Sequence, residues 1–282
     1  MTQLLRITVS ELFRLFARRR TYIGFASFAA FDALFLFFLS RPGPQRFFHR
    51  MLENSGFLFE DYFSGLTLAY CIVGLTTVFL TTLFFPLVSG DIVAKEVEDG
   101  NLRLILSRPV SRFRLLLSKF IACQVYSAAL VLFVGLSCFL TGSLLARWNG
   151  GLFAMAPEAH LFSTFPFAEG WKRYVLGILL LIGSMSTVSS VGFAFSCQRM
   201  KPAAATILTI ILFFIDAILS RIPYFEEYEH WFVTPCMAGW LEAFRYHLRW
   251  PWLAENYAFL AGLSVTCFVL GWLSFENRDL KA

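Results

Sequence analysis

Six stretches of the chain are long and apolar enough to cross a membrane as helices, and they constrain the fold more than any other feature. A bilayer core about 30 Å thick requires about 20 apolar residues in helical form. Four stretches contain no Asp, Glu, Lys or Arg, and the other two contain one carboxylate each, Asp32 and Asp216. The predicted spans are residues 22–39, 66–88, 120–146, 174–197, 203–219 and 257–275. The sequence therefore predicts an all-α, polytopic integral membrane protein with six transmembrane helices in residues 22–282.

The composition excludes both a water-soluble globule and a disordered chain. Hydrophobic residues make up 57% of the sequence and charged residues 15%, whereas soluble domains have about 45–50% and about 25%. The 6 cysteines lie singly, without the CxxC spacing of metal or redox sites.

Basic residues are concentrated on one side of the predicted spans. Fifteen of the 24 Lys and Arg lie in the segments on the side of the N-terminus, although these segments are shorter in total than the opposite loops. They are residues 1–21, 89–119, 198–202 and 276–282. The positive-inside rule then places both termini in the cytoplasm. No small-residue cleavage site follows the first span, which we expect to remain as an anchor.

Residues 1–21 have the pattern of an amphipathic helix. Most apolar side chains between residues 4 and 16 share one arc of a helical wheel. The opposite arc contains Arg6, Ser10, Glu11, Arg14 and Arg18. A helix with a basic polar face is typical of the headgroup plane of a membrane. Two roles remain open: a basic anchor, or an elbow helix against which a cytoplasmic partner packs.

The loop 89–119 is the most informative polar segment. Acidic residues dominate its first third and basic residues the remainder, with Leu102, Ile105 and Leu106 at helical spacing. Pro109 disfavours helix at Arg108, and Ser111 can cap a new helix that leads into the third span. The pattern predicts a short charged helix, a proline corner and a rigid lead into the membrane. Taken alone, it fits an ordinary solvated loop as well as a lever that passes movement to a span.

Particular motifs in this loop carry a family resemblance. Residues 96–102 read EVEDGNL, residues 106–112 read LSRPVSR, and Lys119 follows. This arrangement, between the second and third of six spans, resembles the first cytoplasmic loop of permease subunits of type-2 ABC transporters. The basic amphipathic N-terminus and the ending FENRDL at residues 275–280 are also similar to that family. Asn101 departs from the pattern, since the family usually has Thr or Ser there.

The resemblance implies a bacterial exporter subunit that is not itself an enzyme. The 89–119 loop would contain a coupling helix that seats in a groove of a separate ATPase subunit, which would bind ATP and Mg. No GxxxxGK[ST] motif occurs in the chain. The implied coupling residues are Glu96, Glu98, Asp99, Gly100, Leu102, Pro109, Arg112 and Lys119. Partners would be the ATPase, a second permease subunit (identical or different) and membrane lipid, with no nucleic acid, in the bacterial cytoplasmic (inner) membrane.

Asp32 and Asp216 support a competing hypothesis. A carboxylate within a span is costly and often functional. Asp32 lies near mid-depth and could carry protons in a proton-coupled secondary transporter, or could form an interhelical hydrogen bond. Asp216 lies near the outer end, where an interface role is favoured. A scaffold role in membrane assembly is a third alternative.

The remaining outer residues indicate little chemistry. His49, His160, His230 and His247 lie outside the spans without ligand spacing, and no metal site is predicted. In the outer loop 217–256, residues 235–249 can form a short amphipathic helix, with Trp240 and Phe244 on its apolar face.

Overall fold

The computed structural model describes residues 2–17, 19–41, 62–100, 111–156 and 161–277, and the fold they form is mostly helical. The long helices are α1 (Thr2–Ala17), α2 (Arg19–Leu39), α3 (Gly65–Phe79), α4 (Phe85–Glu98), α5 (Arg112–Leu145), α6 (Phe167–Ser196), α7 (Pro202–Leu219) and α9 (Trp250–Glu276). The shorter elements are strands β1 (Leu152–Ala156) and β2 (Leu161–Phe165), two 3₁₀ segments (Pro223–Trp231 and Ala238–Phe244) and helix α8 (Val233–Met237).

Five of the described helical segments are long and apolar enough to cross a membrane. They are Thr21–Leu39, Arg112–Leu145, Phe167–Ser196, Pro202–Leu219 and Trp250–Glu276. These helices confirm the coarse expectation of a mostly helical, multi-pass membrane protein. Many of their outward-facing side chains are apolar and exposed, as expected for surfaces that contact lipid.

The predicted span 66–88 differs from the other five. Its backbone is helical throughout, but a π-helical turn at Leu80–Phe84 separates α3 from α4. Pro86 explains the change, because proline has no N–H to donate to the preceding turn and its ring crowds that turn. A π-helical turn is one way to absorb such a local disturbance.

Helix α6 lies at the centre of the fold and packs against α4, α5, α7 and α9, while α1 and α2 pack on α5. We call the end where α4 finishes and α5 begins the inner end, and the opposite one the outer end. At the outer end, α3 and α5 approach so closely that a Cβ at Gly142 would clash with the carbonyl oxygen of Gly65.

The outer end contains structure that the sequence analysis treated as loop. Strands β1 and β2 form an antiparallel hairpin, with Leu152 opposite Phe165. The hydroxyl of Thr67 accepts a hydrogen bond from the Phe153 N–H at 2.9 Å, which attaches the hairpin to the start of α3. The helix predicted for residues 235–249 is replaced by α8 and the second 3₁₀ segment, which ends at Phe244.

The predicted polar face of helix α1 is wrong at Glu11. The helical wheel places Glu11 on the polar arc of this helix, yet the structure buries its side chain together with Thr8 and Leu15. The apolar side chains of Val9 and Phe13 are instead exposed. The reason is a buried cation on α5 that the acidic side chain of Glu11 contacts, so the stripe facing the protein is partly charged.

Candidate functional site

The loop predicted to couple to an ATPase is framed by two well-defined helix ends. Helix α4 ends at Glu98, and Gly100 follows with a positive φ of 74°, the left-handed conformation that commonly terminates helices. Helix α5 begins at Arg112, where the Ser111 side chain accepts a hydrogen bond from the Arg114 N–H. This confirms the predicted cap at Ser111. Leu102 and Pro109, both predicted coupling residues, lie outside the described residues.

Three charged side chains from three helices meet close to these helix ends, and we call them the inner triad: Glu11, Glu96 and Lys119. The Lys119 ammonium nitrogen lies 2.8 Å from a carboxylate oxygen of Glu11 and 2.7 Å from one of Glu96. The exposed fractions of the three side chains are 1% for Lys119, 6% for Glu11 and 5% for Glu96. The half-exposed Arg14 adds a contact to Glu11 at 3.3 Å.

The inner triad connects α1, the end of α4 and the first turns of α5. Charges taken out of water are costly unless they are paired, and breaking such a pair costs more than the pair itself stabilises. Any separation of these helices would expose or isolate at least one charge. The triad therefore favours movement of α1, the end of α4 and the start of α5 as one unit.

The predicted coupling residues divide into two groups in the structure. Glu98 and Asp99 are exposed at the inner end, and Arg112 donates a hydrogen bond to the Glu276 carbonyl oxygen at 3.0 Å, joining the start of α5 to the end of α9. Glu96 and Lys119 are buried, so their side chains hold helices together rather than contact another protein. Glu11 was not among the site residues predicted from the sequence, although its position as the one acidic residue in a basic helix was a usable signal.

Asp32, on α2, is buried against α5, and its carboxylate makes few hydrogen bonds. Its side chain is 5% exposed, and the Cys138 thiol donates to one carboxylate oxygen at 3.8 Å. Its other oxygen has no hydrogen-bond partner among the described residues. The carboxylate is therefore poorly satisfied for a purely structural residue.

Asp216 has a local role that is plain from its contacts. Its two carboxylate oxygens accept the backbone N–H groups of Val233 and Thr234 at 3.2 and 2.6 Å. These are the first two residues of α8, so Asp216 caps that short helix from α7. Within the described residues, no group of three or more His, Cys, Asp or Glu is arranged to hold a metal ion.

Comparison with known proteins now places the chain in a family. A family model described as "Protein of unknown function (DUF2705)" matches residues 35–281. The chain belongs to this family. The DUF2705 match contains Glu96, Lys119 and Asp216, whereas Glu11 and Asp32 precede it.

A curated relative is similar over a shorter stretch. The "Uncharacterized protein YhcI" of Bacillus subtilis (strain 168) is 36% identical over 71 residues, which is 25% of this chain. The chain thus spans about a quarter of the length of that relative (23%). Neither description names an activity.

Proposed function

We propose that this protein is the membrane-spanning permease subunit of an ATP-driven, type-2 ABC exporter in the bacterial cytoplasmic membrane. In this proposal it has six spans, with both termini in the cytoplasm, and residues 66–88 supply the second span. A separate ATPase subunit binds ATP and Mg and hydrolyses ATP, while this chain supplies the pathway together with a second permease subunit. The resemblance of residues 96–119 to the coupling loop of that family is the starting point.

The inner triad is the observation that supports the proposal best. A coupling loop works as a lever only if its two ends are fixed to the spans it moves. Within the loop 89–119, Glu96 lies near the end of α4 and Lys119 in the second turn of α5, and their ion pair joins these two helices. Glu11 adds α1 to the same unit.

The continuity of α5 supports the same mechanism. This helix runs without a break from Arg112 at the inner end to Leu145 at the outer end. A push on the loop would therefore rotate or shift a rigid element across the whole membrane. Shear or hinge movements of packed helices between two stable arrangements are an established type of conformational switch.

Co-purification tests this proposal most directly. The tagged protein, co-expressed with an ATPase encoded beside it, should retain that ATPase through purification in detergent. In proteoliposomes, the double variant Glu98→Ala/Arg112→Ala should lose most stimulation of ATP hydrolysis while staying in the membrane. Lys172→Ala and Glu227→Ala, which change exposed charges at the outer end, are the matched controls. Full stimulation in the double variant, or no ATPase bearing a GxxxxGK[ST] motif in the complex, would refute it.

The state of Asp32 favours a second candidate, a proton-coupled secondary transporter. A poorly satisfied carboxylate within a span is a natural proton carrier. In this case a pH gradient alone should drive proton movement in proteoliposomes that contain no ATP, measured with a pH-sensitive dye. Asp32→Asn should abolish that movement. A wild-type protein that leaves the gradient unchanged would eliminate this candidate.

A further inference from the structure

A cavity of about 410 Å³ lies at the outer end of the described structure, between the first 3₁₀ segment, helix α8 and the first three turns of α9. Its volume is within the range of small-ligand sites, about 300–1,000 Å³. Three aromatic rings and one carboxylate line it, those of Trp231, Trp252, Phe259 and Glu255. Among the described residues, no lysine or arginine belongs to its wall. We call this space the aromatic cavity.

Hydrogen bonds within the chain fix the elements around the aromatic cavity. The side-chain amide of Asn256 donates to the Cys236 carbonyl oxygen at 2.7 Å, which ties α9 to α8. The Cys236 thiol in turn donates to the His230 carbonyl oxygen at 3.7 Å, which ties α8 to the first 3₁₀ segment. All three residues line the cavity. Its walls are therefore joined by contacts of the protein itself.

The only carboxylate of the cavity wall is open to a ligand. Trp252, Glu255 and Phe259 share one face of α9, because residues three, four and seven positions apart project from the same side of a helix. Glu255 is exposed and makes no ion pair with another described residue. Across the cavity, the side chain of Trp231 is 66% exposed. A ligand can therefore reach this charge and this ring together.

Trp252 already takes part in one contact with a cation. Its ring also lines a second, neighbouring cavity, to whose wall Arg249 belongs. The guanidinium of Arg249 lies over this ring, 5.1 Å from its centroid, and its Nε donates to the Glu242 carboxylate at 2.7 Å. Arg249 does not line the aromatic cavity, and Glu242 offsets its charge. Trp252 thus lies between the two cavities.

We propose that the aromatic cavity binds an organic ammonium group. The faces of tryptophan and phenylalanine rings attract cations that lie within about 6 Å of the ring centroid, and groups of such rings recognise quaternary ammonium ligands. A quaternary ammonium group donates no N–H hydrogen bond, so ring faces and a carboxylate are the partners that suit it. Trp231 and Phe259 would contact its alkyl groups, and Glu255 would supply the opposite charge.

An ammonium group could reach this cavity from two sources. Trp252 and Glu255 lie just before the predicted span 257–275, at the level of the lipid headgroups, where tryptophan is enriched. The headgroup of a choline phospholipid and a soluble amine would present the same ammonium group to the same rings. The cavity is formed by this chain without an ATPase, so the inference goes beyond the proposed exporter function and does not depend on it.

The first test is equilibrium binding of radiolabelled choline to the purified protein in a glycosidic detergent without phospholipid. Unlabelled choline should displace the label roughly tenfold better than its neutral analogue, in which a carbon atom replaces the nitrogen. The two competitors have the same shape, so the difference reports the charge. A cavity that binds only apolar groups would accept both equally.

Matched variants locate the binding. Trp231→Leu should weaken choline binding roughly fivefold, the effect of one cation–π contact, whereas Trp231→Phe should retain most of it. Glu255→Gln should weaken binding roughly threefold, since an exposed ion pair is weak. Trp148→Leu and Glu227→Gln are the controls, because both side chains are exposed at the outer end and neither lines the cavity. All of these variants should change the Tm little.

The second test uses lipid as the probe. Protein reconstituted with equal parts of phosphatidylcholine and phosphatidylglycerol, with identical acyl chains, is transferred to detergent, and the retained lipid is measured by native mass spectrometry. A preference for phosphatidylcholine that is lost in Trp231→Leu and in Glu255→Gln identifies a lipid headgroup. Choline binding without a lipid preference identifies a soluble amine. Either result supports the proposal. Equal displacement by choline and its neutral analogue with no lipid preference, equal behaviour of wild type and both variants in the two tests, or no binding in either would overturn it.

Discussion

The two ends of the molecule carry charged clusters with opposite arrangements. At the inner end, the inner triad places one buried cation, Lys119, between two carboxylates. At the outer end, one buried carboxylate, that of Glu242, lies between Arg245 and Arg249, and we call these three residues the outer cluster. In each group of three, one charge faces two charges of the opposite sign, but the two groups differ in burial and in the sequence separation of their members.

Burial and chain separation distinguish the two clusters. All members of the inner triad are almost completely buried, and Lys119 pairs with Glu11 across 108 residues of sequence. In the outer cluster the arginines keep 35% and 52% of their side-chain area exposed and pair with a residue only three or seven positions away. The inner triad therefore joins distant helices, whereas the outer cluster orients cations within one segment beside an open cavity.

Replacing Lys119 with Met should have the largest effect on stability. The change removes the only cation of the inner triad and leaves two buried carboxylates close together. Removing one partner of a buried ion pair costs about 3–5 kcal/mol. Thermal unfolding in detergent should show a large fall in Tm, with loss of the contact between α1 and α5.

Neutralising the whole inner triad provides the control for that variant. Lys119→Met combined with Glu11→Gln and Glu96→Gln removes all three buried charges of the triad, and the half-exposed Arg14 can turn toward water, so most of the lost stability should return. Lys95→Met, at a half-buried lysine of α4, should change the Tm little. If the single Lys119→Met variant were as stable as wild type, the inner triad would not be needed to join α1, α4 and α5.

The sequence alone predicted the features that depend on local pattern. Five of the six apolar stretches correspond to helices long enough to span a membrane, and Ser111 caps α5 as expected. These features follow from hydrophobic runs and from hydrogen bonds within a few residues. Glu96 and Lys119 were named as coupling residues only through family resemblance, which did not predict that they form a buried ion pair.

Features that depend on tertiary approach were not predictable in the same way. No local pattern indicates that Glu11 pairs with Lys119, because the contact exists only once α1 packs on α5. The outer hairpin was missed because residues 147–173 carry many turn-forming and aromatic residues without a long alternating pattern. A cavity at the outer end, lined by Arg221 and Arg249 among others, likewise depends on the end of α7 lying beside the start of α9.

Replacing Glu242 with Gln should have the second largest effect. The amide oxygen would still accept from a guanidinium, but the NH₂ group cannot, so at least one of the three contacts from Arg245 and Arg249 is lost. Such contacts contribute about 1.5–3 kcal/mol, and the half-exposed arginines can turn toward water to reduce the loss. The fall in Tm should thus be clearly smaller than for Lys119→Met. A fall of equal size would mean that the outer cluster is as essential to folding as the inner triad.

Replacing Asp216 with Asn tests a neighbour of the outer cluster. The amide can accept only one of the two N–H bonds that now come from Val233 and Thr234. Loss of a helix cap costs about 0.5–2 kcal/mol, and we expect a value near the middle of that range. Hydrogen exchange should increase at the amides of α8 and not at those of α6. A uniform increase over both helices would show that Asp216 supports the whole bundle instead of α8.

Replacing Arg249 with Lys should have the smallest effect on stability. Lysine keeps the positive charge near Glu242 but loses the paired donors and the flat contact with Trp252. Exposed ion pairs contribute about 0–1 kcal/mol, so the Tm should change by a few degrees at most. The corresponding change in the inner triad, Lys119→Arg, should do the reverse and lower the Tm, since no space exists around a side chain that is 1% exposed. Equal falls in Tm for Lys119→Arg and Arg249→Lys would contradict the view that the inner triad joins distant helices while the outer cluster only orients its arginines.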